Sequence, residues 1–267
     1  MENIAPSVKD TNINPVKIVQ AALGILKNNW KYLCGLYAFF LAPLFVISLL
    51  QLGALPNIAV VQVLVFVITT CIGAWGMVSL FVAIDKITAN FSATIKENIT
   101  EAGRYFVPYL TGMIIVALFA FMILFVVRSV VPLHVLALTG ELNNKWLLLS
   151  VDVIGTAIVF VALYFLIRCS LYGVCCVVEN SGPIQALKRS RELVKNHVNP
   201  VVGTFFLSML IVIILAIPLV AISFFLKNEN VLAIIGLVYQ SLMGLVMTPF
   251  LGATLVVLYQ KLREVTE

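Results

Sequence analysis

The chain has 267 residues, of which 62% are hydrophobic and only 11% are charged. Its mean hydropathy is +1.09. A soluble domain carries about 25% charged residues, and a globule of this size could not hide so much apolar surface from water. The composition therefore excludes an ordinary water-soluble domain and predicts an integral membrane protein.

The chain is basic, with a net charge of +5 and a sequence pI of about 9.0. Such a balance can indicate nucleic-acid binding in a soluble domain. Here most Lys and Arg residues lie just outside long apolar blocks, as membrane orientation signals do, so we expect no nucleic-acid partner. The five cysteines lie in or beside apolar segments, and no His or carboxylate joins them at ligand spacing, so we expect no metal and no cofactor.

Six segments are long and apolar enough to cross a bilayer, which needs about 20 helical residues. They are residues 32–52, 58–84, 106–131, 147–172, 199–226 and 231–258. These runs do not alternate in polarity as barrel strands do, and helices satisfy their own backbone groups in lipid. The sequence predicts an all-α integral membrane protein with six transmembrane helices.

A shorter amphipathic segment precedes each pair of spans, at residues 15–31, 92–106 and 183–198. Asn14-Pro15 and the Thr94–Glu97 spacing are typical helix starts. The predicted apolar stripes are Ile18, Val19, Ala22, Ile25 and Leu26 in the first segment, Ile95, Ile99, Ala102 and Phe106 in the second, and Ile184, Leu187, Val194 and Val198 in the third. We expect three interfacial helices, each leading a helical hairpin, in a single polytopic membrane domain over residues 1–267. The repeats run approximately over 15–84, 92–178 and 183–260.

The basic residues are distributed unevenly over the two sides that this topology defines. Thirteen would lie on one side and three (Arg128, Lys145 and Lys227) on the other, with Arg168 inside a span. By the positive-inside rule, both termini are expected to be cytoplasmic.

The amphipathic segments carry cations that predict contact with anionic lipid headgroups, each worth on the order of 1 kcal/mol near such a surface. These candidates are Lys17, Lys27, Lys31, Lys188, Arg189 and Lys195. A purely topogenic role, in which the charges only fix orientation, is the alternative.

Arg168 lies within the fourth span, where an Arg side chain must face the bundle interior or reach an interface. Glu179 is eleven residues further on, about 16 Å along a continuous helix, so the two cannot pair directly along it. Asp85, Glu101, Glu192 and helix-end carbonyls are the other candidate partners of a buried charge or a gate. Arg191 falls within the predicted apolar stripe and is expected either to snorkel or to meet a carboxylate.

Two further sets of polar residues could in principle form pairs. Arg128 and Asp152 fall near the external ends of neighbouring spans and predict an external charge pair. His134 and His197 lie in loops predicted on opposite sides of the membrane, so they cannot form one catalytic pair. No P-loop, G-x-S-x-G, H-E-x-x-H or paired intramembrane carboxylate is present in the sequence, and we expect no enzyme activity.

Three stretches in the second half carry a family resemblance. They are Arg168 ahead of VVEN (177–180), then SGPIQALKRSRELVK (181–195), then TPF (248–250) followed by TLVVLYQKLRE (254–264). Over residues 160–267 the chain resembles the polytopic bacterial membrane domain found fused to glycerophosphodiester phosphodiesterases, whose stand-alone relatives are small inner-membrane proteins. The resemblance implies six helices, a cytoplasmic basic helix before the fifth span and no catalytic residues. Where that family tends to an aromatic residue after Arg-Ser, this chain has Arg191.

The sequence thus favours a non-enzymatic protein of the bacterial inner membrane whose basic helices contact anionic lipid. Its expected role is membrane homeostasis or the anchoring of a protein partner, which could also be a second copy. The alternative is a transporter or a lipid or solute permease component with a cytoplasmic gate near Arg168 and Glu179.

Overall fold

The computed structural model describes residues 13–53, 59–138, 145–225 and 229–267, with side chains described outside most of 124–154 and 219–230. All regular structure in these ranges is helical. The helices are α1 (Pro15–Gly53), α2 (Ala59–Thr88), α3 (Ile95–Leu138), α4 (Lys145–Arg168), α5 (Tyr172–Val178), α6 (Pro183–Val194), α7 (Val198–Phe225) and α8 (Glu229–Thr266).

Six stretches of these helices are long and apolar enough to cross a membrane: Pro15–Gln51, Ala59–Thr88, Ile95–Ile123, Gly155–Val178, Val198–Pro218 and Val231–Thr266. Their outward faces carry large apolar side chains. Phe66, Phe121, Phe160 and Phe206 are each more than 60% exposed, which suits a lipid surrounding and not water. The predicted all-α fold with six membrane helices is confirmed.

Two predicted helix starts are also confirmed. The Asn14 side chain accepts a hydrogen bond from the Val16 backbone N–H at 2.9 Å, ahead of Pro15 in the first turn of α1. At the start of α3, Glu97 accepts from the Thr94 backbone N–H at 2.9 Å, and Thr94 Oγ1 accepts from the Glu97 N–H at 3.3 Å. These contacts pair backbone donors that the first helical turn would leave unsatisfied.

The three amphipathic segments differ in how they join the spans. A non-helical residue, Asn29, separates the first segment from the span within α1. The second segment runs directly into its span as part of the 44-residue helix α3. The third is a helix of its own, α6. The expectation of a separate interfacial helix thus does not hold for the second segment.

The apolar faces of these segments pack largely inside the protein. In the second segment Ala102 is buried, Ile99 and Phe106 are partly buried, and Ile95 is exposed. Ile18, Val19 and Ala22 of α1 lie in the core, as their predicted stripe requires. In α6 the predicted stripe is confirmed at Leu187 and Val194, which are buried, and wrong at Ile184, which is 74% exposed. The face that is actually buried comprises Ala186, Leu187, Ser190, Leu193 and Val194. Because the polar Ser190 lies at its centre, an apolar periodicity does not predict this face.

The helices meet most closely at one end of the bundle, which we term the basic end and define by Tyr32, Lys86, Asn98, Arg168 and Tyr259. Hydrogen bonds between helices bring side chains together at this end. Tyr32 of α1 bonds Asn98 of α3, and Gln260 of α8 donates to Thr88 of α2 at 2.8 Å. Helix α1 packs most extensively on α8, whereas α4 touches α7 only sparsely.

Two glycines allow aromatic side chains to fill the core next to the basic end. The rings of Tyr109 and Tyr172 stack with centroids 5.5 Å apart. A Cβ atom at Gly173 would lie 2.6 Å from the Tyr109 ring, and one at Gly112 would lie 2.8 Å from the Tyr172 ring. Since both rings are held in a packed core, they have little room to move aside.

We expect Gly173→Ala to destabilise the protein by about 1–3 kcal/mol, because the added methyl group overpacks this cluster. Thermal unfolding of the purified protein in detergent measures the effect. Gly73→Ala is the matched control, since a Cβ there meets nothing within 4 Å and helix propensity alone favours Ala. Equal midpoints for the two variants would contradict the packing argument.

Candidate functional site at the basic end

The fourth span is interrupted, which the sequence did not predict. Helix α4 ends at Arg168, and α5 begins at Tyr172. The fully buried Ser190 of α6 closes this break by donating to the Arg168 carbonyl at 2.8 Å and accepting from the Leu171 N–H at 3.2 Å. One hydroxyl thus pairs two backbone groups and fastens α6 to the bundle.

Arg168 lies at this break without a carboxylate within ion-pair distance among the described residues. Its guanidinium donates to the Arg191 carbonyl at 3.2 Å and lies over the Tyr164 ring, 5.2 Å from its centroid. Its Nε is buried and has no hydrogen-bond partner in the described part of the chain. Among the partners that the sequence offers to Arg168, the one it contacts in the structure is a helix-end carbonyl.

Glu179 belongs to a different set of contacts, which we term the Glu179 bridge: Glu179, Arg189, Tyr259, Arg263 and Glu267. Glu179 Oε1 accepts from Arg189 Nε at 2.9 Å and from the Tyr259 hydroxyl at 2.8 Å. Arg189 also pairs with Glu267, which accepts from Arg263 Nε at 2.9 Å. The bridge connects the end of α5 to α6 and α8, and Arg168 is not part of it.

The hydrogen bonds of the bridge favour the charged forms of Arg189 and Glu267. The hydrogen bond to Glu179 raises the pKa of the Arg189 guanidinium above its usual range. The hydrogen bond from Arg263 is the main cause that lowers the pKa of the Glu267 carboxyl. Arg189, predicted as a headgroup contact, is therefore already neutralised by two carboxylates of the protein.

A second polar cluster joins α1, α2 and α3. Lys86 pairs with Glu101 at 2.5 Å and donates to Asn98 Oδ1 at 3.1 Å. Asn98 is fully buried and donates from Nδ2 to the Tyr32 hydroxyl. Asp85, one residue before Lys86, makes no ion pair with a described residue. Among the predicted gate residues, Glu101 thus has a structural partner, and neither Glu101 nor Asp85 meets Arg168.

The other predicted headgroup contacts lie at the surface. Lys27, Lys31, Lys188 and Lys195 are exposed and carry no ion pair within the described ranges, and Lys17 is exposed as well. Arg191 is exposed, on the side of α6 that also presents Ile184. The predicted pair of Arg128 and Asp152 lies outside the described side chains, as does His134.

Sequence reasoning missed Ser190, Tyr259, Tyr32 and Asn98 as organising residues. Ser190 and Tyr259 lie in two of the three stretches that carry the family resemblance. The sequence therefore draws attention to these stretches but does not predict the contacts of the two side chains. In the described ranges, no group of three or more His, Cys, Asp or Glu could hold a metal ion.

The family model described as a domain of unknown function (DUF7847) matches residues 16–262. The chain belongs to this family. No curated protein and no solved structure matches it. The match includes Ser190, Arg168 and the Glu179, Arg189 and Tyr259 members of the bridge, so the basic end is part of the DUF7847 domain.

We expect Ser190→Ala to lower the stability of this DUF7847 protein by about 1–3 kcal/mol, since it leaves the Leu171 N–H and the Arg168 carbonyl unpaired. Thermal unfolding in detergent measures the loss. Ser208→Ala is the control, because Ser208 is equally buried but bonds only the Thr204 carbonyl of its own helix. A loss no larger than that of the control would show that α6 is held by other contacts.

Proposed function

We propose that this DUF7847 protein is a non-enzymatic multi-pass protein of a bacterial inner membrane whose basic end binds anionic lipid headgroups. The observation that carries the proposal is a group of cations on and beside α6 without carboxylate partners. Its role would be membrane homeostasis or the anchoring of a protein partner, including a second copy.

Cations at the basic end fall into two groups by their partners. Lys86 and Arg189 pair with Glu101 and Glu179 and hold helices together, and Arg263 pairs with Glu267 at the end of α8. Arg168, Lys188, Arg191 and Lys195 make no ion pair with described residues, and Glu192 is the one acidic side chain on α6. Uncompensated cations next to a membrane surface attract anionic lipid, by about 1 kcal/mol each.

Arg168 is the member of this group that lies within a candidate membrane span, Gly155–Val178. Its guanidinium is oriented by the Tyr164 ring and the Arg191 carbonyl, which use only part of its donor set. A planar guanidinium with free donors suits a phosphate group, because it can present two parallel N–H bonds to phosphate oxygens. A lipid phosphodiester would supply the negative charge that the protein does not.

The location and orientation in this proposal rest on charge placement and resemblance. The cations of the basic end lie on the side to which the positive-inside rule assigns the cytoplasm, so both termini would be cytoplasmic. The resemblance of residues 160–267 to the membrane domain fused to glycerophosphodiester phosphodiesterases supports a bacterial inner-membrane module without its own chemistry.

Replacing Lys188 and Lys195 together by Gln should reduce the preference for phosphatidylglycerol over phosphatidylethanolamine by about thirtyfold, since two surface charges that contribute about 1 kcal/mol each are lost. Native mass spectrometry of protein released from nanodiscs of equal lipid content measures the bound ratio. Lys261→Gln is the control, because Lys261 is paired with Glu264. An unchanged ratio in the double variant would contradict headgroup binding by α6.

A transporter or permease component with a cytoplasmic gate is the second candidate, and the Glu179 bridge is the observation that favours it. The bridge ties α5, α6 and α8 across one end of the bundle, where an opening motion would have to break it. Arg168 stands outside the bridge, so the gate would consist of Glu179 and Arg189.

For the lipid-binding protein that we propose, Glu179→Gln should destabilise the fold by about 1–3 kcal/mol, because it leaves Arg189 with one carboxylate fewer. It should leave the lipid ratio unchanged. Unfolding midpoints and the nanodisc lipid ratio are measured on the same preparation. Normal stability combined with altered solute flux across proteoliposomes would instead favour the gate.

A further inference from the structure

A groove lies between α1, α7 and α8, away from the basic end. Its volume is about 650 Å³, within the range of pockets that hold small ligands. We term it the α1–α7–α8 groove and define it by Ser48, Gln51, Ala216, Gly236, Tyr239 and Gln240 among its lining residues. Its lining residues belong to three candidate membrane spans, so its natural neighbour is lipid.

The groove exists because the facing residues are small and α7 contains a proline. Ala216 and Gly236 both line it, and a Cβ atom added at Gly236 meets nothing within 4 Å. Pro218 cannot donate the helical hydrogen bond to the Ile214 carbonyl, which loosens α7 next to the groove. The neighbouring Leu215 carbonyl accepts from the Tyr239 hydroxyl of α8.

Three of the four polar side chains named in the groove already have partners. Ser48 donates to the Leu44 carbonyl at 2.9 Å, and Gln51 donates to Gln62 at 3.4 Å. Tyr239 donates to Leu215. The side-chain amide of Gln240 makes no hydrogen bond within the described part of the chain, and it is exposed to the groove.

Gln240 lies within its span. It follows Val231, where the candidate span of α8 begins, by nine residues, which is about 14 Å at 1.5 Å per residue. Gln51, which lines the same groove, is the last residue of the candidate span of α1, so the groove runs from the end of that span towards the interior. An unpaired primary amide within a span is unfavourable where lipid takes the place of water.

We propose that the α1–α7–α8 groove binds a neutral lipid whose polar group carries carbonyl and hydroxyl oxygens, with Gln240 as the residue that recognises it. An ester carbonyl accepts from the Gln240 amide, and a hydroxyl donates to its oxygen. The apolar lining holds the chain. A charged headgroup is disfavoured, because none of the described residues that line the groove is charged and a charge within a span is costly.

The test uses the full chain in nanodiscs with a diacylglycerol that carries a photoreactive diazirine in one acyl chain. Phosphatidylglycerol with the same diazirine chain is the charged comparison. After illumination, labelled peptides are identified by mass spectrometry. The diacylglycerol probe should label peptides of α7 and α8 that line the groove, and the phosphatidylglycerol probe should label them much less.

Two variants and one control separate the groove from general lipid contact. Gly236→Leu fills the groove and should reduce labelling there to background. Gly73→Leu makes the same change in a span, in equally open space and outside the groove, and should leave labelling unchanged. Gln240→Leu keeps the groove but removes the amide, and should reduce labelling by the diacylglycerol probe about fivefold, as expected for one hydrogen bond.

Three results would overturn the proposal. Equal labelling by the two probes would show that the groove does not select neutral lipid. Unchanged labelling in both Gly236→Leu and Gln240→Leu would place the labelled site elsewhere. A Gln240→Leu variant that converts a dimer into a monomer, with labelling unaffected, would assign the amide to a contact between two copies.

Discussion

The arrangement of the basic end depends on the two hydrogen bonds of Ser190. A membrane span that stops at Arg168 and resumes at Tyr172 exposes backbone groups that lipid cannot satisfy. Ser190 satisfies one acceptor and one donor of this break from a neighbouring helix, and in doing so it fixes the rotation of α6. That rotation directs Arg189 towards Glu179 and leaves Lys188 and Arg191 exposed. On α6, this one attachment therefore separates Arg189, which pairs with carboxylates of the protein, from Lys188 and Arg191, which do not.

Much of the fold could be predicted because a bilayer limits the choices so strongly. Long uncharged runs had to be helices, and the Asn14 and Thr94 signals located two helix starts by local chemistry. The break at residues 169–171 was not visible, since its residues Cys169, Ser170 and Leu171 are compatible with a continuing helix. The rotation of α6 about its axis could not be predicted either. An apolar periodicity assigns a serine to the exposed face, whereas Ser190 is buried and completes the interior face.

Charge partners were harder to predict than charged residues. Sequence reasoning singled out Glu179 and Arg189 but assigned them to different roles. Their contact, and that of Glu179 with Tyr259 80 residues further on, depends on the tertiary fold. Contact with lipid is predicted from the cations of the amphipathic segments and from their position on a helical wheel. Position on a wheel gives a direction relative to one helix, whereas the partner depends on which neighbour lies in that direction. Arg189 and Lys188 are adjacent in sequence, yet one faces two carboxylates and the other faces outwards.

The two regions proposed to bind lipid differ in the chemistry that each can tolerate. At the basic end, water and headgroups are close, so cations can stay charged without protein partners and attract phosphate. In the α1–α7–α8 groove a charge would be costly within the span, so selectivity would have to come from an amide and from shape. Ala216 and Gly236 supply that shape, because their small side chains leave space in the groove unfilled. A single chain would thereby discriminate between lipids by charge at one site and by hydrogen bonding at another, without any residue taking part in both.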